Sequence, residues 1–179
     1  PEFIKSIHTL NNLGFDCDYI SDKYLLTTDY IDGMLQTAAG TRYKALLIPA
    51  KVLPDNVKAH IEDMKAKGAH IIYGCDDKVA MSESAAPEMM KTEYGLKSIR
   101  RSNDKGYHYF ISNLTPKDVE ADIPLAVKFS NAMWFDPLNG ERYAATVNDG
   151  KVNINLKSGE SMILETFNEP TVVNLSTRK

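Results

Sequence analysis

The sequence predicts an α/β region followed by an all-β region: a small open parallel sheet with its helices, then an antiparallel β-sandwich. Three observations carry that expectation. Residues 43–77 read as strand, helix, strand. Near Leu96 the hydrophobic period shortens from 3.6 to 2. Beyond it, short candidate strands alternate with turn-forming segments. The expected boundaries are 1–96 for the α/β domain, 97–167 for the sandwich and 168–179 for a tail or linker.

The strand–helix–strand unit is the best specified. Ala45 to Ile48 is a wholly apolar run, as expected of a strand covered on both faces. Pro54 suits a first helical position, where its missing N–H costs nothing, and Asp55 favours the positive helix end. Val57, Ile61 and Met64 recur at i, i+4 and i+7, an apolar stripe for packing on a sheet. Lys65 and Lys67 close the last turn and Gly68 stops it. Ala69 to Tyr73 is the second strand, and a crossover of this length implies a parallel pair joined right-handedly.

Upstream, Phe3, Ile7, Leu10 and Leu13 form a helical stripe ended by Gly14, and Asp16 to Ile20 reads as a short strand. Ser21 is placed to cap the next element. Between Lys23 and Thr41 the pattern is weak, and a short helix or irregular cover is expected. Downstream, Pro87 interrupts a helix-like stretch, so a further helix should begin near Pro87-Glu88 and end at Gly95. Lys97–Arg101 and Tyr107–Leu114 alternate around Asn103-Asp104-Lys105-Gly106, a hairpin signal. Further strands are expected at Ile123–Phe129, Ala132–Phe135, Arg142–Val147, Lys151–Leu156 and Ser161–Phe167.

At 179 residues the chain can bury a real core in one large or two small domains. A net charge of −3 with mixed signs argues against a nucleic-acid partner or an anionic membrane surface. No apolar run approaches the roughly 20 residues that span a bilayer. The amino terminus has no signal-peptide pattern, lacks Met and opens almost directly in a helical pattern, which is the expectation for a cut from a longer protein. Two cysteines, Cys17 and Cys75, are too few for a disulfide scaffold and read as free thiols beside strands.

Leu13-Gly14-Phe15-Asp16-Cys17-Asp18-Tyr19-Ile20, then Tyr43 to Pro49, then Lys67-Gly68-Ala69-His70-Ile71-Ile72 resemble a glutamine-amidotransferase-like, flavodoxin-like accessory domain. Such domains follow the catalytic barrel in large glycoside hydrolases, including β-galactosidases. Ile99-Arg100-Arg101, the run from Gly106 to Asn113, Trp134 to Glu141 and Leu156 to Leu164 look like the β-sandwich of α-L-rhamnosidase-type hydrolases. The resemblance covers residues 8–167. It implies a secreted or periplasmic, multidomain sugar-cleaving enzyme of which this is the carboxyl-side portion. Its barrel needs roughly 250 residues and would hold the catalytic carboxylates, so none is carried over.

The resemblance directs attention to Cys75, since amidotransferase-type folds place a nucleophilic Cys in a strained turn after a strand. Tyr-Gly-Cys-Asp-Asp lacks the second Gly, and none of His8, His60, His70 or His108 has a base-and-orienter setting, which favours a non-catalytic version. Open α/β sheets bind at the carboxyl ends of their strands. Asp22, Lys51, Cys75 and Asp76 should converge there as a ligand pocket or an edge for docking the barrel, or stand in three ordinary loops. Asp16-Asp18 and Asp76-Asp77 are weak as the carboxylate pair that glycoside hydrolysis needs. Trp134 is a candidate for stacking on a sugar, and one of Arg100 and Arg101 can reach a ligand from its strand, Arg101 being the choice. No metal-ligand spacing, calcium loop or phosphate loop exists, and no cofactor is expected.

The expected function is a non-catalytic module of a larger glycoside hydrolase that buttresses or lines the absent barrel, its chief partner, with oligomerisation open. The rivals are a free-standing Cys75 hydrolase of amidotransferase type and a carbohydrate-binding module.

Overall fold

The computed structural model describes residues 2–171 and 174–177. They divide into two compact units, one up to Ala86 and one from Pro87. The division falls before the change of period at Leu96, because the short helix after Pro87 belongs with the strands that come after it.

The first unit contains α1 (Glu2–Asn12), α2 (Asp22–Leu25), β1 (Asp29–Ile31), β2 (Met34–Gln36), β3 (Arg42–Tyr43), β4 (Ala45–Ile48), α3 (Asp55–Ala66), β5 (His70–Tyr73) and α4 (Lys78–Ser84). The unit β4–α3–β5 is as the sequence predicts: β4 and β5 pair in parallel, Ala45 opposite His70 through Ile48 opposite Tyr73. Val57, Ile61 and Met64 of α3 are at most 1% exposed. Each such burial is worth about 1.5–3 kcal/mol.

The open parallel sheet goes no further among the described residues. Asp16–Ile20 is not a strand; Phe15, just before it, is buried with Ile72 and Met81, and Asp18 accepts from the Tyr43 hydroxyl (2.8 Å). The stretch from Lys23 opens in the expected short helix, α2, but beyond it is not irregular cover, for β1, β2 and β3 form an antiparallel sheet. Its turn is Asp32-Gly33, both at positive φ (48° and 78°), the backbone that a tight two-residue hairpin requires. Ser21 does stand before α2, but its side chain makes no capping bond. The α1 stripe is half used: Leu10 and Leu13 pack on the Phe15 cluster, while Phe3 is exposed against the Tyr19 ring.

The second unit holds α5 (Met89–Thr92), β6 (Lys97–Asn103), β7 (Gly106–Ser112), β8 (Val119–Pro124), β9 (Asn131–Phe135), β10 (Arg142–Ala144), β11 (Val147–Asn148), β12 (Lys151–Leu156) and β13 (Ser161–Phe167). Two antiparallel sheets, ordered β10-β9-β13-β7-β6 and β11-β12-β8, bury one common cluster. Tyr109, Ile111, Trp134, Met162 and Leu164 enter it from the larger sheet, and Val119, Ile123, Val152, Ile154 and Leu156 from the smaller. The chain changes sheets between β10 and β11, where the sequence predicts one strand. The strand expected at Ile123–Phe129 lies earlier, as β8, because Val119, Ala121 and Ile123 alternate and Pro124 ends the ladder.

Gly106 fixes the close approach of β7 and β13. A Cβ there would lie 2.1 Å from the Thr166 carbonyl oxygen. In the segment expected as a tail, Ser176 accepts a backbone bond from Ala144 (3.0 Å), so this part lies beside β10. Residues 172, 173, 178 and 179 of that segment lie outside the described residues.

Candidate functional site

Parallel pairing sends the chain out of β4 and β5 at the same edge, and Gly74 N–H donates to the Ile48 carbonyl (2.8 Å). Two of the three expected loops therefore meet. Lys51 follows β4 and borders a cavity of 260 Å³ shared with Asp55, Lys58 and Tyr73. That is below the usual volume of a small-molecule site. Cys75 and Asp76 follow β5, the first half-buried and the second exposed, and neither lines the cavity. Asp22 opens α2; its place on this edge depended on a strand at Asp16–Ile20 that the fold does not form.

Gly74, at φ +78°, does give Cys75 a turn after a strand. Three of the four histidines are engaged elsewhere. His60 Nε2 lies 2.7 Å from the Thr28 carbonyl, and His70 Nδ1 lies 3.1 Å from Ser84 Oγ. His108 bonds Asn103 and Glu165. Among the described residues no hydrogen bond joins Cys75 to a histidine, and no disulfide joins the two cysteines. Asp77 is taken as the cap of α4, accepting from Ala80 N–H at 2.9 Å.

Trp134 is 5% exposed and belongs to the shared core, where a sugar ring cannot stack on it. It borders only a recess of 50 Å³ with Thr146, Asn153 and Asn155. Arg100 and Arg101 point to opposite faces of β6, as the alternation predicts. Arg101 is exposed, while Arg100 turns inward to an acid that sequence reasoning treats only as a helix start.

That acid is Glu88, 2% exposed at the cap position of α5. Its side chain does not cap the helix. Glu88 Oε1 accepts from Arg100 Nη1 (2.8 Å) and from the Tyr109 hydroxyl (2.7 Å), and Oε2 accepts from Ala126 N–H (3.0 Å). The Arg100 guanidinium also stands over the rings of Tyr107 and Tyr109, 5.5 and 5.9 Å from their centres. Burial, and then the neighbouring Glu88 charge, push the Tyr109 phenol far above its ordinary value, so it stays a neutral donor. Carboxylate, guanidinium and phenol are residue types that catalyse, yet they are bonded to one another and none lines either cavity. This cluster ties α5, β6, β7 and the loop after β8 together.

Among the described residues no group of three or more His, Cys, Asp or Glu is placed to hold a metal ion. No described helix is long and apolar enough to cross a membrane.

No protein-family model matches the sequence, and no match to a curated protein was found. Among solved structures, the chain is similar in fold to a rhamnosidase from Novosphingobium sp. PP1Y, with a TM-score of 0.65 and 14% identity. The likeness covers 90% of this chain, more than either unit holds, and spans 20% of the rhamnosidase chain.

Proposed function

We propose that this chain is a non-catalytic supporting module of a larger glycoside hydrolase acting on oligo- or polysaccharides. The observation that carries the reading is the fold likeness to one-fifth of a rhamnosidase chain, which takes in most of both units. In this reading the second unit is the β-sandwich and the first a reduced α/β companion. Their partner is the catalytic barrel of the same polypeptide, outside the cell or in the periplasm.

The side chains support it from another direction. Glycoside hydrolysis needs two accessible carboxylates about 5–10 Å apart around the bond. Glu88, the most deeply buried acid described, is held by three donors and lines neither cavity. Among the described residues no histidine is hydrogen-bonded to Cys75. The chemistry belongs elsewhere in the polypeptide.

The purified 179-residue chain is expected to leave aryl glycosides intact while the native product that carries it cleaves them. Turnover by the 179-residue chain alone, abolished by Cys75→Ser or by an acidic substitution, would overturn the proposal.

A further inference from the structure

The outward face of the larger sheet in the second unit carries an apolar row. Pairing aligns Ile99, Phe110, Ile163 and Phe135 across β6, β7, β13 and β9. Their sequence neighbours Tyr109, Leu164 and Trp134 face the core instead. Ile99 is 58% and Phe110 45% exposed, while Ile163 and Phe135 are half-buried. An antiparallel sheet with one wet face ordinarily turns polar residues outward. A contiguous apolar row there marks an interaction surface.

Charge frames the row. Lys97 and Arg101 flank Ile99 on the same face of β6, and the Arg142 guanidinium stands 5.5 Å from the Phe135 ring centre. Glu165, one row along, is paired with His108 at 3.2 Å. In that same row Met133 is buried, so the open part of the face lies toward β6 and β7.

We infer that this face seats another domain of the same polypeptide, through an apolar ridge with acidic flanks. The inference rests on the supporting-module reading and names its docking surface. Size favours a tethered occupant. The three seven-residue strands β6, β7 and β13, at about 4.8 Å spacing and about 3.4 Å per residue, give an open face of roughly 340 Å². A stable complex between separate chains commonly buries about 800 Å² on each side. Contacts between domains of one chain run from about 600 to 1,500 Å² in total, which this face can supply. Tethering provides the effective concentration that a small interface needs. Sugar recognition fits less well, because Ile99 and Ile163 interrupt the aromatic rings and offer nothing to stack on.

The test is hydroxyl-radical footprinting of the native product against the 179-residue chain. Labelling of Ile99 and Phe110 should fall roughly fivefold or more in the native product, since the centre of an interface excludes water. Phe110→Asp should restore labelling at Ile99 in the native product and leave Trp134 emission of the 179-residue chain unchanged. Equal labelling in a longer native product would overturn the docking face and leave the supporting-module reading standing. Protection that appears in the 179-residue chain at high concentration, or on adding oligosaccharide, would also overturn it in favour of a second copy or a glycan. A native product no longer than this chain would remove both.

Discussion

The two units bury their apolar side chains differently. In the second, a single cluster runs through both sheets, and the buried Glu88 joins its helix to two strands through an ion pair with Arg100 and a hydrogen bond from Tyr109. In the first, two smaller clusters stand apart: one centred on Val57, Ile61 and Met64, the other on Phe15, Ile72 and Met81. The strands of the first unit are two to four residues long, against mostly five to seven in the larger sheet of the second. A unit with divided cores and short ladders opens locally at lower cost than one with a continuous core. The second unit is built as a stiff body, the first as a patchwork around one good βαβ unit.

The comparison can be broken by changing one side chain in each. The largest effect is expected from Glu88→Ala, which takes the buried carboxylate away from Arg100 and removes the acceptor of Tyr109 and Ala126. Removing one partner of a buried ion pair costs about 3–5 kcal/mol. Trp134 is the only tryptophan and lies in the second core, so its emission reports that unit alone. The Trp134 urea midpoint should fall sharply. An unchanged midpoint would mean that the cluster is idle. Met64→Ala should cost about 2–5 kcal/mol in the first unit, since Met64 is fully buried. Its loss should appear in far-ultraviolet circular dichroism while the Trp134 midpoint stays put. A common shift in both probes would show one cooperative body and contradict the division.

Alkali sharpens the contrast further. Tyr73 in the first unit and Tyr109 in the second are both raised above the ordinary 10.0, each chiefly by burial and then by a nearby glutamate. Tyr73 is half exposed and its shift carries little stability, whereas Tyr109 is fully buried. A folded pKa above the unfolded one makes the stabilisation complete below about pH 10 and lost as pH rises beyond it. The Trp134 midpoint should therefore decline above pH 10. In Tyr109→Phe that decline should largely vanish, at a neutral-pH cost of about 1–2 kcal/mol for the lost hydrogen bond. A decline of equal size in the variant would place the alkaline sensitivity elsewhere.

Local signals carry most of what is legible in the sequence. The α3 stripe, the β6–β7 hairpin and strands β12 and β13 all repeat at their own period within a few residues. The β1–β2 hairpin has its turn signal too, Asp32-Gly33 between Tyr30-Ile31 and Met34-Leu35. Its strands, only three residues long, are too short to establish an alternation around it. The expectation for β8 falls too late in the chain because the apolar run after Ile123 outweighs the alternation before it. The site is harder. Glu88 meets partners 12, 21 and 38 residues away, and no spacing in the sequence announces such a meeting. Trp134 reads as a platform for sugars because a strand aromatic looks the same from either face. Only the pairing of β9 with β10 and β13 decides which face it takes.

The most direct test of the supporting-module account is the intact mass of the native gene product, with peptide mapping from its source. The account predicts a protein several times larger than this 20.0 kDa chain, with peptides of a catalytic barrel joined to it. A native product of about this mass would contradict it, and Cys75 would then be the first residue to mutate.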